Sequence, residues 1–323
     1  MNTDLLPDLP ASFDEGRLAS GDGHLLWYAQ YGNPDGIPLF WLHGGPGSAS
    51  SLRHIALLDL GRYRLVLSDQ RGCGRSLPLG ALRRNETGLL VGDIDRLRAR
   101  LRLDRIVVGG GSWGAALALL YAAQHRATVA ALLLRAPFLA GKAEIDAFFS
   151  PPADGARGCW EEFAALAPEP VRQRLLPWLA QQLANAGPDQ CARIARGWSR
   201  YEQQQESGSA DAAQPVVDDV MIARYRVQAH YLLHGCFVGT DQVLAAARAL
   251  HGMPAAILHG DADRVCPPDN ARLLRRCLPE SRLRMAEGAG HQPFHPAMAA
   301  ALAQALACYA RNANFEGWGN GHD

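Results

Sequence analysis

The stretch of sequence that decides the fold is residues 105–125, RIVVGGGSWGAALALLYAAQH. A short apolar run is followed by a cluster of glycines around Ser112 and then by an Ala/Leu-rich segment typical of a helix. The G-x-S-x-G arrangement at residues 110–114 predicts a sharp strand-to-helix turn, in which glycines avoid clashes and the serine hydroxyl stands above a sheet. Free N–H groups at the start of that helix would favour developing negative charge. Ser112 is therefore a candidate nucleophile, and a glycine-rich turn with a capping serine is the simpler alternative.

The rest of the chain repeats this alternation of strands and helices. A β-hairpin is predicted over residues 17–31, with Gly21-Asp22-Gly23 as its turn. Short apolar runs predict buried strands at residues 38–42, 63–67, 105–108, 130–134, 255–258 and 282–285. Helical spacing of apolar residues predicts helices at 93–103, 115–125, 270–277 and 297–309. This alternation indicates an α/β fold with a mostly parallel sheet covered by helices on both faces.

One long segment interrupts the alternation. Residues 141–239 contain no convincing buried strand, and Trp160, Trp178 and Trp198 lie there among helix-forming residues. A polar surface loop is predicted near residues 207–214. We therefore expect a core made of residues 1–140 and 240–323 and an inserted helical cap made of residues 141–239, lying over the strand ends where ligands bind.

Composition excludes several classes of function. The 32 Lys and Arg residues balance 32 Asp and Glu residues, so the chain lacks the basic surface that binding to nucleic acid or to an anionic membrane requires. Neither a basic segment followed by an apolar core at the N-terminus nor an apolar stretch of membrane-spanning length is found in the sequence. We expect a cytoplasmic protein with no nucleic-acid or membrane partner.

Cysteines and histidines give no sign of a metal or disulfide framework. The seven cysteines are dispersed without metal-ligand spacing and are expected to be reduced. His230 and His234 are spaced i, i+4 but lack a convincing third ligand. No metal and no organic cofactor are expected.

A nucleophilic serine needs a base, and the base needs an acid that fixes its tautomer. For this architecture the chain order is serine, then acid, then histidine, with the last two in loops after late strands. Asp263 follows the strand at 255–258, and His291 follows the strand at 282–285. We assign Asp263 as the orienting acid and His291 as the general base. Asp261 and His295 are the alternatives.

Acyl transfer also needs two N–H donors for the oxyanion. One comes from the residue after the nucleophile, which is Trp113. The other is expected from the loop after an early strand, where residues 43–47, HGGPG, provide a flexible backbone, and we assign it to Gly45. His43 is expected to orient this loop by hydrogen bonding and not to act as a base.

Three motifs together resemble the proline iminopeptidase (prolyl aminopeptidase) family of α/β-hydrolases. They are HGGPG at 43–47, DQRGCGRS at 69–76 and GGSWG at 110–114, and the resemblance extends over most of the chain. The octapeptide is the most specific of them. The resemblance implies a serine peptidase that removes an N-terminal proline through an acyl-enzyme on Ser112.

The same resemblance implies how the substrate's amino group is held. Members of the family bind it with acidic residues of the cap, and the segment 198–202, WSRYE, is similar to the family's Trp/Glu segment, which implies substrate-binding roles for Trp198 and Glu202. The second carboxylate normally lies two residues before a His-Tyr pair, where this chain has Gln228. A neutral amide replaces only part of a charge-assisted bond, so a weaker preference for a free amine is expected. Glu206 is expected on a solvated face.

The leading interpretation is a serine exopeptidase acting on small peptides or amides with a free N-terminal proline. The first alternative keeps the three catalytic residues but acts as an esterase or amidase on small acyl substrates, as Gln228 would allow. The second alternative is a noncatalytic ligand-binding protein on a hydrolase-like scaffold. The intact order of serine, acid and histidine argues against this last interpretation.

Overall fold

Eight strands form one sheet in the part of the chain that the structure describes. A computed structural model describes residues 10–152, 157–207 and 215–319. The strands are β1 (Asp14–Ala19), β2 (Leu25–Gly32), β3 (Ile37–Leu42), β4 (Tyr63–Ser68), β5 (Ile106–Gly111), β6 (Val129–Arg135), β7 (Ala255–Gly260) and β8 (Arg282–Ala286). Their spatial order is β1-β2-β4-β3-β5-β6-β7-β8.

The directions of the strands match the predicted α/β class. β1 and β2 form the predicted antiparallel hairpin, and β2 also runs antiparallel to β4. Every other pair of neighbouring strands is parallel. The carboxyl ends of β3, β5, β7 and β8 therefore meet at one edge of the sheet, where ligands bind in open α/β folds.

Ten α-helices are found in the described residues. They are α1 (Thr87–Arg100), α2 (Trp113–Gln124), α3 (Lys142–Phe148), α4 (Arg157–Ala164), α5 (Leu175–Asn185), α6 (Pro188–Ser207), α7 (Asp219–Leu233), α8 (Thr240–Arg248), α9 (Asp269–Cys277) and α10 (Pro296–Asn312). The helices predicted at 115–125, 270–277 and 297–309 agree with α2, α9 and α10 to within a few residues. The helix predicted at 93–103 begins six residues earlier, at Thr87, whose hydroxyl donates a hydrogen bond to the Cys236 carbonyl.

Both faces of the sheet are covered by apolar side chains, and this explains the uninterrupted apolar strands. In β3, Phe40 and Leu42 belong to the apolar cluster that includes α1 and α2, whereas Leu39 and Trp41 belong to the cluster that includes α10. Successive side chains of a strand point to opposite faces, so all four are buried.

The described residues between β6 and β7 form helices α3 to α8 and no strand. Apolar side chains of α4 to α7 continue the cluster on the α1/α2 face of the sheet. The predicted polar loop at 207–214 lies outside the described residues from position 208 onward, and α6 extends to Ser207. In the described part of the chain, none of the helices combines the length and the apolar character needed to span a membrane.

Candidate active site

Ser112 lies in a strained turn between β5 and α2. Its φ is +56° and its ψ is −122°, a conformation that costs energy for a residue with a side chain. The two motif glycines permit the turn by their lack of a Cβ. A Cβ on Gly110 would lie 2.4 Å from the Gly114 carbonyl oxygen, and one on Gly114 would lie 2.2 Å from the Leu42 carbonyl oxygen. Glycine is required at both positions because the neighbouring backbone, that of α2 beside Gly110 and that of β3 beside Gly114, leaves no room for a Cβ.

His291 and Asp263 are joined by a hydrogen bond between Nδ1 and Oδ2, 2.7 Å long. Asp263 lies in the loop after β7, and its Oδ1 accepts hydrogen bonds from the backbone N–H groups of Val265 and Cys266, each at 2.9 Å. The second histidine near this carboxylate is His259, whose Nε2 lies 3.3 Å from Oδ2. Burial opposes the charge of Asp263, but the two histidines hold the pKa of the carboxyl well below its usual range. An ionised Asp263 keeps the proton of His291 on Nδ1, which leaves Nε2 as the acceptor.

The alternative acid and base lie elsewhere. The Asp261 carboxylate is exposed and accepts a hydrogen bond from the backbone N–H of Gly288 at 2.8 Å, which closes the turn after β8. His295 precedes α10 and does not line the cavity that contains Ser112.

Ser112 and His291 line the same cavity, which has a volume of about 230 Å³. Drug-sized ligands occupy pockets of roughly 300–1,000 Å³, so this one suits a smaller molecule. One side of the cavity is formed by loops at the strand ends, and we call this the core wall: Gly44, Gly45, Ser112, Cys266 and His291. The other side carries polar residues of α6 and α7, and we call this the helical wall: Glu202, Glu206, Arg224 and Gln228.

Of the two residues expected to hold an oxyanion, one lines the cavity of Ser112 and the other follows Ser112 in the chain. Gly45 lines the cavity, and Trp113 is the first residue of α2, where backbone N–H groups have no partner within the helix. Gln70 connects the two segments: its side-chain amide donates to the His43 carbonyl at 2.8 Å and accepts from the Trp113 indole at 3.1 Å. The HGGPG loop is thereby fixed relative to the start of α2.

His43 has the orienting position that was expected of it. Its Nε2 accepts a hydrogen bond from the backbone N–H of Gln70 at 2.9 Å, and its Nδ1 lies 3.0 Å from the Gly44 carbonyl oxygen. Burial lowers the pKa of this imidazole, so the ring is neutral and holds the loop from both sides.

Two residues of the core side were missed by the sequence analysis. Arg135 ends β6; its carbonyl accepts from the Ser112 N–H at 2.9 Å, and its Nη1 donates to the His291 carbonyl at 2.7 Å. Cys266 brings its Sγ to 4.0 Å from the Ser112 Oγ. The sequence could have indicated that both lie near the site. Arg135 follows a predicted strand at the edge where the site forms, and Cys266 comes three residues after Asp263 in the same loop.

On the helical wall, Glu202 is buried and fully engaged. Its Oε2 accepts hydrogen bonds from Arg224 at 2.9 Å and from the Tyr225 hydroxyl at 2.8 Å, and its Oε1 accepts one from the Gln228 amide at 2.5 Å. Arg224 was missed by the sequence analysis, although it lies one helical turn before Gln228 on α7. Gln228 is 5% exposed, and its Oε1 has no hydrogen-bond partner among the described residues.

Glu206 is not on a solvated face, contrary to our expectation. It lines the cavity, and burial raises the pKa of its carboxyl. Among the described residues, Gln292 donates a hydrogen bond from Nε2 to Oε2 of Glu206 at 3.4 Å. The spacing of Trp198, Glu202 and Glu206 at i, i+4 and i+8 places all three on one face of α6, which the sequence could have indicated.

Trp198 does not reach the cavity, so its predicted contact with substrate is corrected. The ring is fully buried and does not line the cavity. It packs instead against Phe149 and Tyr225, with ring centroids 5.3 and 5.1 Å away. Phe149 lines the cavity, and Trp198 therefore contacts the cavity lining only indirectly, by packing behind Phe149.

The described residues include no group of three or more His, Cys, Asp or Glu side chains arranged to bind a metal ion. His230, considered above as a ligand, lies with Nε2 3.1 Å from the Asn85 carbonyl oxygen. His234 lies with Nδ1 2.7 Å from the His230 carbonyl oxygen.

A serine held in a strained elbow at the sheet edge, in one cavity with a histidine bonded to an aspartate, is the arrangement found in α/β-hydrolases. The family model described as the alpha/beta hydrolase fold matches residues 37–297, so the chain belongs to the α/β-hydrolases. Similarity to individual proteins narrows this class. The chain is 36% identical to a proline iminopeptidase of Xylella fastidiosa strain Temecula1 over 294 residues, which cover 88% of this chain and 92% of that protein.

A second relative, the proline iminopeptidase of Xanthomonas citri, is 35% identical over 93% of this chain and 97% of its own length. Within the α/β-hydrolases the chain therefore belongs to the proline iminopeptidase family. The fold also matches the crystal structure of a proline iminopeptidase from Mycobacterium smegmatis, with a TM-score of 0.61 at 20% identity over 93% of this chain and all of that one.

Proposed function

We propose that this chain is a serine exopeptidase that releases N-terminal proline from peptides, with Ser112, His291 and Asp263 as its catalytic residues. The observation that carries the proposal is the composition of one small cavity. Ser112 and His291 line one side of it, and the carboxylates of Glu202 and Glu206 line the other. A nucleophile and a cation-binding group in one small cavity fit a substrate whose scissile carbonyl lies close to its terminal amine.

The reaction follows from the hydrogen bonds of His291. With Nδ1 bonded to Asp263, Nε2 accepts the Ser112 proton as Oγ attacks the prolyl carbonyl. The backbone N–H groups of Gly45 and Trp113 stabilise the negative charge on the carbonyl oxygen. His291 then gives its proton to the leaving amine, and the C–N bond breaks to leave a prolyl ester on Ser112. Water, deprotonated by His291, hydrolyses that ester.

The cavity lining supports a proline side chain next to the amine. Phe138, Phe148 and Phe149 contribute aromatic surface to the same cavity as the carboxylates. An apolar ring would be buried against these side chains, and its secondary ammonium would require an anionic partner. The relatives in Xylella and Xanthomonas carry the name proline iminopeptidase, which agrees with this substrate.

The helices between β6 and β7 form part of the same proposal. We assign residues 141–239 to a cap and residues 1–140 and 240–323 to the hydrolase core, because α6 and α7 supply the helical wall of the cavity. Cytoplasmic localisation is also proposed, supported by seven free cysteines, six of them buried.

The proposal is tested with three substrates of one purified enzyme: prolyl-p-nitroanilide, N-acetylprolyl-p-nitroanilide and p-nitrophenyl acetate. We expect kcat/KM for the free amine to exceed that for the acetylated anilide by about 10-fold or more, because acetylation removes the ammonium charge. Equal turnover of the two anilides would reject an aminopeptidase.

The engagement of Glu202 by Arg224 favours a second candidate. If the helical wall carries too little free negative charge, the chain is an esterase or amidase for small acyl substrates with the same three catalytic residues. Rapid turnover of p-nitrophenyl acetate and equal turnover of the two anilides would favour this candidate. A fluorophosphonate probe distinguishes both enzymes from a noncatalytic binding protein, because labelling of wild type and not of Ser112→Ala requires an activated Ser112.

A further inference from the structure

Two carboxylates line the helical wall, and they differ in what already surrounds them. Glu202 accepts three hydrogen bonds, and one of them comes from the guanidinium of Arg224 at 2.9 Å. A carboxylate offers about four acceptor positions, so Glu202 has little capacity left for a ligand. Its charge is already balanced by Arg224 within the protein.

Glu206 has the opposite surroundings. It lies one helical turn after Glu202, lines the same cavity, and receives a hydrogen bond from Gln292 at 3.4 Å. In the part of the chain that the structure describes, none of its neighbours forms a salt bridge with it. A half-buried carboxylate that forms no salt bridge is costly, and a ligand cation bound directly to it would reduce that cost.

Gln228 adds a neutral acceptor to the same place. Its amide NH₂ donates to Glu202, and this bond fixes the orientation of the amide group. The Oε1 atom is consequently an acceptor, and it is buried with no partner among the described residues. An amine in this cavity would find a charged oxygen on Glu206 and a neutral one on Gln228.

We infer that Glu206 is the residue that pairs with the substrate's ammonium group, and that Glu202 is the internal counter-ion of Arg224. The inference rests on the proposed function, since it assigns the amine site of that same cavity. It makes Glu206 a specificity-determining residue and gives Glu202 a positioning role, holding Arg224 and Gln228 against the helical wall.

The test uses the isosteric variants Glu206→Gln and Glu202→Gln with prolyl-p-nitroanilide and p-nitrophenyl acetate. For Glu206→Gln we expect kcat/KM for the anilide to fall about 10- to 100-fold, mainly through KM, because the variant loses a charge-assisted bond to the substrate. The loss on the acetate, which carries no amine, should be at least about 5-fold smaller than the loss on the anilide, because only the anilide offers an ammonium to residue 206.

Three results would overturn the inference. One is an unchanged KM for the anilide in Glu206→Gln. Another is an equal loss on both substrates, which would mean a merely structural role. The third is a selective KM loss in Glu202→Gln that Glu206→Gln does not show.

A pH profile provides a further readout. The titratable and charged groups around Glu206 are Glu202 on α6, Arg224 on α7, Arg135 at the end of β6 and His291 in the loop after β8. Because burial raises the pKa of Glu206, KM for the anilide should increase as pH falls through that pKa. The increase should be smaller in Glu206→Gln, and an unchanged profile would contradict the inference. If the proposed function itself is wrong, the wild-type enzyme will turn over the free and the acetylated anilide equally, and no variant is needed to see this.

Discussion

The two walls of the cavity are built by different means. On the core wall, main-chain contacts hold the residues in place: the elbow glycines touch the β3 backbone, and Arg135 binds the Ser112 and His291 main chains. On the helical wall, side chains hold one another, through the ion pair of Glu202 and Arg224 and the bond from Gln228. The core wall can therefore change little without loss of all activity, whereas the helical wall can change its charge and alter which substrates are accepted.

The largest expected effect of a single substitution is on the core wall. Ser112→Ala should lower kcat by about 10⁴- to 10⁶-fold on prolyl-p-nitroanilide and p-nitrophenyl acetate alike, because no acyl-enzyme forms. Single-turnover and steady-state assays measure it, and an unaltered thermal unfolding midpoint shows that the variant is folded. Activity above about 1% of wild type on either substrate would contradict the role of Ser112.

A glycine substitution tests how strongly the backbone determines the core wall. In Gly114→Ala the new Cβ would lie 2.2 Å from the Leu42 carbonyl oxygen, so we expect a loss of at least about 2 kcal/mol of unfolding free energy and about 100-fold of activity. Gly92→Ala is the matched control, because its Cβ meets open space inside α1 and should stabilise by about 0.5–1 kcal/mol. Denaturant unfolding measures the unfolding free energy of both variants, and kcat/KM for prolyl-p-nitroanilide measures the activity. Similar stabilities of the two variants would mean that the elbow is not tightly constrained.

On the helical wall, restoring a second acidic residue should sharpen specificity. Gln228→Glu should raise the ratio of kcat/KM for prolyl-p-nitroanilide over the acetylated anilide by about 10-fold, because a charged acceptor binds an ammonium more strongly than an amide does. Gln181→Glu, on the exposed face of α5, is the control for the same change in net charge. An unaltered ratio in Gln228→Glu would show that this position does not face the amine.

The smallest expected effect concerns stability and pH. Burial raises the pKa of Glu206 above its value in the unfolded chain, so its contribution to stability is present at low pH and is lost as pH rises through the folded-state pKa. Glu206→Gln should therefore unfold at a higher temperature than wild type at pH 7, and the difference should vanish below about pH 4. Thermal unfolding across this range measures it. A lower midpoint for the variant at pH 7 would mean that Glu206 is compensated within the protein.

Sequence alone was sufficient for the core because its signals are local. Strands buried on both faces appear as uninterrupted apolar runs, and the elbow requires glycine at two positions, so β3, β5 and the turn at Ser112 could be located. The start of α1 was misplaced because Gly88 and Gly92 obscure its pattern and because Thr87 is held by a distant partner, Cys236.

The helical wall could be predicted only in part. Glu202 and Gln228 were found through the family resemblance, but the pairing of Glu202 with Arg224 depends on how α6 packs against α7, 22 residues along the chain. The misassignments of Trp198 and Glu206 have the same origin. Their shared helical face was visible in the spacing, but which end of that face meets the cavity depends on tertiary packing.

The bond from Arg135 to the His291 carbonyl separates two requirements on the catalytic histidine. It anchors the peptide group of residue 291 to the end of β6, while the orientation of the imidazole is set separately by its bond to Asp263. The imidazole must approach two different atoms in turn, the serine oxygen and then the departing nitrogen. With the peptide group tethered, the loop that carries the ring stays still, and a small tilt of the ring that keeps its bond to Asp263 is enough to serve both atoms.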